Sequence, residues 1–591
     1  MEAEPSPVLI PPAPHRRAAV LACGVLVLLH LLVRLPNVRA MPAFVDEGIY
    51  VRWAQMIADD PLKNLWVSMV DAKLPLHYWL LAGFYKLGGD PLTSARIASV
   101  VFGAATIPLV WALWEELRRL AAWRSERVAG GVWPPVVAAL FLIFSPLVGF
   151  FQRMGLAEAL VLMEGVAVAW AALRYARQAA GESPRRGLWR AGVLLGALWG
   201  AMLITKQNFS YLHAALPPLA LGPYGRRGAW GRLVRRAWGP LLAGAGLALA
   251  IFVPMLFTRG DYPLWVRLVY KSHFYDRAET PGSILGGNLR WLFVPGWPGE
   301  ILLWPHDAGA PLRDGALWTY LTPPVLLLLL TALVLAAVRR RGTAALFLGG
   351  WSLVLLLPLA MNPYLQVVRY SFLGLVPLIL LAAWAAAEIG EWLAARTTYR
   401  AAVRAAFTAA CLGWAAPVTL WQLADPRAAT LLARDRLEYL YDSSSLGFAQ
   451  QAADFFAAEA RRGPIVVITW PRLADDYVWT MLKRNVNVRL YCTDEPALPM
   501  QPPPADTRLV LGTETWFADR KAEVTLPAGM PVYRSILLLG ERVSQPPQEL
   551  QQFGPYTRCV KIVLNDPPVP GTRPMAGLAL LRIDAPTVPP P

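Results

Sequence analysis

Charge is what this chain has least of. Only 16% of its 591 residues are Asp, Glu, Lys or Arg, against roughly 25% in an ordinary soluble domain. That shortage excludes a cytosolic enzyme. With 56% apolar residues it also excludes a disordered chain. Four cysteines are too few for a disulfide-dense secreted scaffold. Six scattered histidines offer no preformed His-rich metal site. Walker A, nucleophile-elbow, HExxH and paired CxxC sequences are all missing, so no nucleotide or hydrolase motif competes. No segment repeats at a period of about 20–50 residues, which excludes solenoids and propellers.

What the chain has instead is long uncharged runs and a mean hydropathy of +0.39. A helix needs about 20 mostly apolar residues to cross a bilayer. The runs predict spans at 18–35, 94–114, 133–151, 155–173, 188–205, 208–223, 237–257, 317–338, 343–360, 370–390 and 402–422. The expected fold is therefore an α-helical polytopic membrane protein with about eleven transmembrane helices. The first run lacks a small-residue cleavage site and reads as a retained anchor. Leu74–Leu87 is short and rich in Tyr, Trp and His, and reads as an interfacial helix.

Orientation follows from arginine placement. Arg118 and Arg119 follow the second run, Arg174 and Arg177 the fourth, and Arg226 and Arg227 the sixth. Arg339–Arg341 follow the eighth, and Arg396, Arg400 and Arg404 the tenth. The net charge of +16 could suggest a nucleic-acid partner. Yet the arginine-rich exits and the N-terminus hold 22 arginines against 7 glutamates, which accounts for almost all of it. The charge is an orientation signal, and no nucleic-acid partner is expected. The expected organisation is a cytoplasmic N-terminus over 1–17 and a membrane domain over 18–424. Loops 36–93 and 258–316 then face outward.

From 425 the character changes. Charges and prolines return, with short β-branched runs at Ile465–Thr469, Val486–Tyr491, Leu509–Gly512, Val532–Leu539 and Val560–Leu564. Helical patterns cover Ala449–Arg462 and Asp475–Lys483. Together they predict an extracytoplasmic α/β domain over 425–591 ending in a Pro-rich tail. Cys492 and Cys559 fall near strand ends, either as a disulfide or as two free thiols.

The outer segments carry the chemistry. Asp46-Glu47 follows the first run. The pair suits a helix cap with a dipole-complementing acid, and equally a general base fixed at the membrane surface. Glu158 lies at the membrane edge five residues after Arg153, in reach of it as an ion pair; acids so close to a bilayer default to a functional hypothesis. Glu164, deeper in the same run, is left to pair within the bundle. Lys73, Lys206, Arg369-Tyr370 and the loop residues Lys271, His273 and Arg277 all fall on the same side. Singly these read as snorkelling residues; together they describe a membrane-edge pocket with a basic and an acidic wall. A lipid-linked phosphate suits the basic wall, because Arg and Lys form charge-assisted bonds to its oxygens.

These residues resemble the GT-C glycosyltransferases, in the protein O-mannosyltransferase and aminoarabinose-transferase-like branch that uses polyprenyl-phosphate sugars. The resemblance is carried by Asp46-Glu47 with Tyr50, and by Lys73-Leu74-Pro75-Leu76-His77-Tyr78-Trp79-Leu80 against Lys-Pro-Pro-Leu-x-Tyr-Trp-Leu. Ser94-Ala95-Arg96, Arg153 with Glu158, Thr205-Lys206 and Arg369-Tyr370 before Pro377 continue it in order over about 15–390. Leu74 departs from the family's proline. Ala72 stands where the aminoarabinose branch has an acid associated with a metal, with Asp71 beside it, so a divalent metal is left open and unsupported.

The resemblance implies an inverting transfer of a sugar from a polyprenyl-phosphate donor to a lipid, glycan or protein acceptor at the outer face of the cell membrane. It implies Asp46 as base, Glu47 and Glu158 as positioning acids, and Lys73, Tyr78, Arg153, Lys206, His273, Arg277, Arg369 and Tyr370 as substrate and phosphate ligands. Two other classes stay open. A transporter or lipid flippase would more often show two similar halves with broken helices near the midplane. A non-catalytic assembly factor would tolerate loss of Asp46.

Overall fold

The structure is a computed structural model. It describes residues 16–71, 73–124, 126, 129–181, 184–206, 210–225, 230–256, 316–339, 342–360, 368–426, 431, 433–441, 445–469, 473–492, 508–512, 521–525, 530–539, 557–564, 574 and 576–583. Six described helices are long and apolar enough to cross a membrane: Arg17–Arg34, Pro91–Trp123, Glu158–Ala180, Arg185–Thr205, Trp230–Met255 and Val368–Ala394. The bent pair Arg400–Leu412 and Ala415–Ala424 makes a seventh if it counts as one span. The chain is a multi-pass membrane protein.

The expected eleven regular spans are not reached among the described residues, and the reasons are local. The run 133–151 splits into Trp133–Ile143 and Pro146–Phe151. Ser145 caps the second piece by accepting the Val148 N–H at 3.3 Å, and Pro146 has no N–H to lose in a first turn. The run 208–223 holds three prolines and folds as the 3-10 turns Ser210–Ala215 and Gly222–Tyr224 around the short helix Leu216–Leu221. The run 402–422 bends by 56° between Leu412 and Ala415. Pro323–Ala337 and Thr343–Pro358 are apolar but shorter. In the other direction, the run 94–114 lengthens to Pro91–Trp123. Asp90 caps its start, accepting the Thr93 N–H at 2.9 Å.

Among the described residues, the arginine-rich ends of helices Pro91–Trp123, Glu158–Ala180 and Val368–Ala394 share one end of the bundle. Glu116 accepts from Arg177 at 2.7 Å and from Arg119 at 2.9 Å, and Glu391 pairs with Arg404 at 2.6 Å. Glu158, Lys206 and Arg369 lie at the other ends of these helices. Arg185–Thr205 and Trp230–Leu256 pack almost backbone to backbone. A Cβ at Gly196 would stand 2.0 Å from the Gly244 carbonyl oxygen, the close approach that small residues permit between membrane helices.

After the bundle comes a seven-stranded sheet of order β4-β3-β2-β1-β5-β7-β6. Its strands are β1 Ile465–Thr469, β2 Val488–Cys492, β3 Arg508–Gly512, β4 Lys521–Thr525, β5 Val532–Leu539, β6 Thr557–Leu564 and β7 Ala576–Ile583. β1 runs parallel to β2 and β5, with helix Leu473–Leu482 as the crossover that a parallel pair needs. β7 pairs antiparallel with both β5 and β6. The stretch just before the Pro-rich tail is thus an interior strand, with Leu578 and Leu580 fully buried.

The sheet unit is joined to helix Val45–Asp59. Gln55 Nε2 donates to the Thr480 carbonyl at 2.9 Å and to the Tyr85 hydroxyl at 3.2 Å. Lys483 pairs with Asp59 at 2.6 Å. Helix Leu76–Lys86, expected as the interfacial helix, buries His77, Tyr78, Leu81 and Tyr85.

Candidate active site

Helix Val45–Asp59 starts at Phe44 and carries Asp46 and Glu47 in its first turn. Two successive helical residues point some 100° apart, so these acids face different surroundings.

Glu47 points inward and is fully buried. It accepts from Arg96 Nε at 2.9 Å and from Arg96 Nη2 at 2.8 Å, a bidentate pair. It also accepts from the Gly155 N–H at 2.6 Å and reaches back to the Phe44 N–H at 2.9 Å. Arg96 in turn donates to the carbonyls of Val38, Met41 and Pro42. Glu47 therefore ties the loop before its own helix to helix Pro91–Trp123 and to Gly155. Arg96 belongs to the Ser94-Ala95-Arg96 motif, which by itself assigns it no role. The available signal was a lone arginine inside an apolar run, which must find a partner.

Asp46 points the other way and is nearly buried, its side chain 12% exposed. Lys73 Nζ donates to its Oδ1 at 3.2 Å, Arg369 to its Oδ2, and the Tyr50 hydroxyl to the same Oδ2 at 3.4 Å. Burial alone would push this carboxyl up. The Arg369 and Lys73 cations overturn that and hold it well below the usual carboxylate range. Below the pair lies an aromatic layer. The Lys73 ammonium sits 4.7 Å over the Tyr50 ring and 5.7 Å over Trp53. Tyr78 meets Tyr50 edge-on at 5.0 Å and Trp53 at 5.1 Å. His77, fully buried, is pushed down to about 4 by burial and is a neutral imidazole at pH 7.

Beside this cluster, Glu158 opens helix Glu158–Ala180, where a negative charge complements the helix dipole. It pairs with Lys206 at 2.5 Å, at the end of helix Arg185–Thr205. Glu158, Lys206, Arg369 and Tyr370 line one recess with Val161, Phe372 and Leu373. The Lys206 ammonium lies 5.7 Å from the Tyr370 ring, and Arg369 donates to the Tyr370 hydroxyl at 3.3 Å. Arg369 Nε is buried without a hydrogen-bond partner among the described residues.

The structure thus brings Asp46, Lys73, Glu158, Lys206, Arg369 and Tyr370 together, over Tyr78. It places Arg153 elsewhere: its Nη2 donates to the carbonyls of Pro36 and Asn37 at 2.9 and 2.6 Å. The plain alternative for Glu158, an ion pair with Arg153, does not form: Arg153 faces two carbonyls beyond the end of Arg16–Arg34, and Glu158 pairs with Lys206 instead. Glu164 accepts from the Thr205 hydroxyl at 2.8 Å. His273 and Arg277 lie outside the described residues, as do Lys271 and Ala72 and the side chains of Asp71, Cys492 and Cys559. Among the described residues no three Asp, Glu, His or Cys side chains converge as metal ligands. Asp46 is faced by two cations, a donor set that does not fit a divalent metal.

Residues 72–257, about a third of the chain, match the family model of dolichyl-phosphate-mannose-protein mannosyltransferases. The match takes in Lys73, Tyr78, Glu158 and Lys206 and leaves Asp46 and Arg369 outside it. The motif-borne resemblance to GT-C glycosyltransferases of this type and the family match agree. Among solved structures, the chain is similar to ArnT from Cupriavidus metallidurans bound to undecaprenyl phosphate, at 13% identity and a TM-score of 0.48, covering 98% of this chain and 100% of that one. It is similar to the apo state of the same protein at 16% identity and a TM-score of 0.48, covering 96% and 98%. The protein O-mannosyltransferase Pmt1-Pmt2 complex of S. cerevisiae bound to the sugar donor follows at 15% identity and a TM-score of 0.31, covering 44% of this chain and 34% of that one. No curated protein matches the sequence.

Proposed function

We propose that the protein is a membrane glycosyltransferase that moves a sugar from a polyprenyl-phosphate donor to a hydroxyl or amine of a lipid, glycan or protein acceptor at the outer face of the cell membrane. The observation that carries the reading is the meeting of Asp46 with Lys73 and Arg369, beside the Glu158–Lys206 pair. The family match supports it independently over the middle of that constellation.

The arrangement suits a single displacement. The donor phosphate competes with Asp46 for Lys73 and Arg369, and Lys206 lines the same recess as Arg369. Such cations stabilise the charge that gathers on the phosphate as the glycosidic bond breaks. The acceptor atom bonds to the anomeric carbon as the bond from that carbon to the phosphate oxygen breaks. The electron pair leaves on the phosphate, and the acceptor's proton passes to Asp46. An ionised phosphate is already a competent leaving group, so the mechanism needs no general acid. Attack from the face opposite the phosphate inverts the anomeric carbon.

The swap of counter-ion gives the base its timing. While both cations face Asp46, its carboxylate is too acidic to take a proton well. Once the phosphate draws them away, burial raises its basicity. Glu47 acts through position, by fixing the helix start that presents Asp46. Tyr78 supports the aromatic floor.

The test is release of polyprenyl phosphate when purified protein is incubated with polyprenyl-phosphate sugars. The native protein is expected to release it, and Asp46→Asn to lose about 100-fold or more, the usual share of a positioned base. Equal turnover by both would remove Asp46 from the chemistry. No turnover with any donor would favour a transporter or an assembly factor.

A further inference from the structure

The bundle and the sheet unit are linked by a short stretch that contacts the starts of the two helices carrying Asp46 and Arg369. Ala433–Arg436 forms one helical turn and Leu437–Tyr441 a π-helical turn, a geometry that concentrates at functional sites. Asp435, fully buried, accepts from the Tyr320 hydroxyl and from the Val368 N–H, the latter at 3.4 Å. Val368 is the first residue of the helix that carries Arg369. The Asp435 carboxylate thus satisfies a helix N-terminus where the dipole favours an anion.

The same stretch holds the other half. Tyr439, fully buried, packs its ring 4.7 Å from Phe44 and 5.3 Å from Phe150. Phe44 is the residue from which the Asp46 helix starts, and the Arg369 guanidinium lies 5.7 Å from its ring. Ser445 forms a β-bridge with Phe44, and the Leu446 N–H donates to the Ala43 carbonyl at 2.6 Å. One stretch of the linker therefore grips the start of two helices that lie more than 300 residues apart in sequence.

We propose that Asp435 is a positioning residue for the Asp46–Arg369 pair, fixing the first turn of helix Val368–Ala394 while Tyr439 fixes the start of helix Val45–Asp59. The inference rests on the reading of Asp46 as base and Arg369 as phosphate ligand. It gives the linker a role that its sequence, which holds no motif, does not announce. A misplacement of about 1 Å at such a pair costs on the order of 100-fold in rate. The groups that face Asp46 are Lys73, Tyr50 and Arg369, with Tyr370 and the Glu158–Lys206 pair beside them. Of these, Arg369 is the one that Asp435 positions.

The experiment measures kcat/KM for a polyprenyl-phosphate sugar against pH, with the melting temperature in detergent, for full-length native, Asp46→Asn, Asp435→Ala and Asp435→Asn proteins. Asp435→Ala is expected to lose on the order of 100-fold. An acid limb absent from the native profile should also emerge near about pH 4, where an unsupported aspartate titrates. Asp435→Asn can keep both contacts, its oxygen accepting from the Val368 N–H and its amide donating to the Tyr320 hydroxyl oxygen, and is expected to restore most of the rate without the acid limb. A lower melting temperature and rate in Asp435→Ala with an unchanged pH profile would mean a structural role only and would overturn the proposal. If Asp435→Ala does not fold, Tyr320→Phe removes just the hydroxyl that holds Asp435. The acid limb is expected there too, and an unchanged profile overturns the proposal. Native-like turnover by Asp46→Asn sinks the reading of the base. An inactive Asp46→Asn beside a native-like Asp435→Ala sinks the positioning role alone.

Discussion

Asp46 shows how one residue's surroundings translate into a measurable pH dependence. Its carboxyl is held below the usual range by Arg369 and Lys73 against the opposing effect of burial. A carboxyl whose folded value is lowered stabilises the fold fully above its unfolded value, about 3.9. That contribution fades as pH falls toward the folded value. The melting temperature of native protein should therefore exceed that of Asp46→Asn at pH 6 to 7, and the gap should shrink below about pH 4. Other acids titrate in both proteins and largely cancel in the difference. A gap that stays constant or widens on acidification would mean that the ion pairs do not stabilise the fold. At this scale the sequence is informative about which residues need a partner and poor on whom they meet. A charge beside an apolar run must have a reason to be there, which singles out Asp46, Glu158, Lys206 and Arg369. The same logic singles out Arg153, but its partners are the backbone carbonyls of Pro36 and Asn37, and carbonyls leave no trace in composition. Glu47 and Asp46 look interchangeable in sequence. Only the helical rotation between them makes one a buried strut and the other the candidate base.

Elements are legible where their signal is local. β1 and β5 fall at Ile465–Thr469 and Val532–Leu539, as their β-branched runs suggest. β4, Lys521–Thr525, carries no apolar strand signal because three of its five residues are charged or polar. β7, Ala576–Ile583, gives little strand signal because it stands against a Pro-rich tail and has few β-branched residues. Spans fail for a different reason: hydropathy sums over a window and does not see a break. Ser145-Pro146 is a cap and a first-turn proline, and it divides a run whose hydropathy is continuous. The packing of Arg185–Thr205 on Trp230–Leu256 offers a test at this scale. Gly196 faces the Gly244 carbonyl so closely that any Cβ must force the helices apart. Gly196→Leu is expected to destabilise the bundle by about 1–3 kcal/mol, the usual cost of overpacking, read as a lower melting temperature in detergent. Gly246, with nothing within 4 Å of a built Cβ, is the control: Gly246→Ala should leave the melting temperature at or slightly above native, because Ala favours helix. Equal effects at both glycines would mean that the close approach is not what matters.

At the scale of the whole molecule the two ends of the bundle differ in kind. One end gathers Glu116, Arg119 and Arg177, with Glu391 and Arg404. The other gathers Asp46, Lys73, Glu158, Lys206 and Arg369, with the sheet unit joined to the same helix through Gln55 and Asp59. Arginine in short loops favours the cytoplasmic side during insertion, and carboxylates count for little. The arginine-rich end is therefore expected to face the cytoplasm, which sends the candidate site and the sheet unit outward, where a donor presented by its lipid tail would be met. Single cysteines test this in a background with all four native cysteines, Cys23, Cys411, Cys492 and Cys559, changed to Ser. Val486 is 96% exposed in the sheet unit, and Val486→Cys should react with a membrane-impermeant maleimide in intact cells. Arg396→Cys, at the arginine-rich end beside Trp392, should react only after permeabilisation. The reverse pattern would invert the protein and move the proposed reaction to the cytoplasmic face. Labelling of both in intact cells would mean that these two positions share one side. That outcome would break the link between arginine placement and orientation on which the outer-face reading depends.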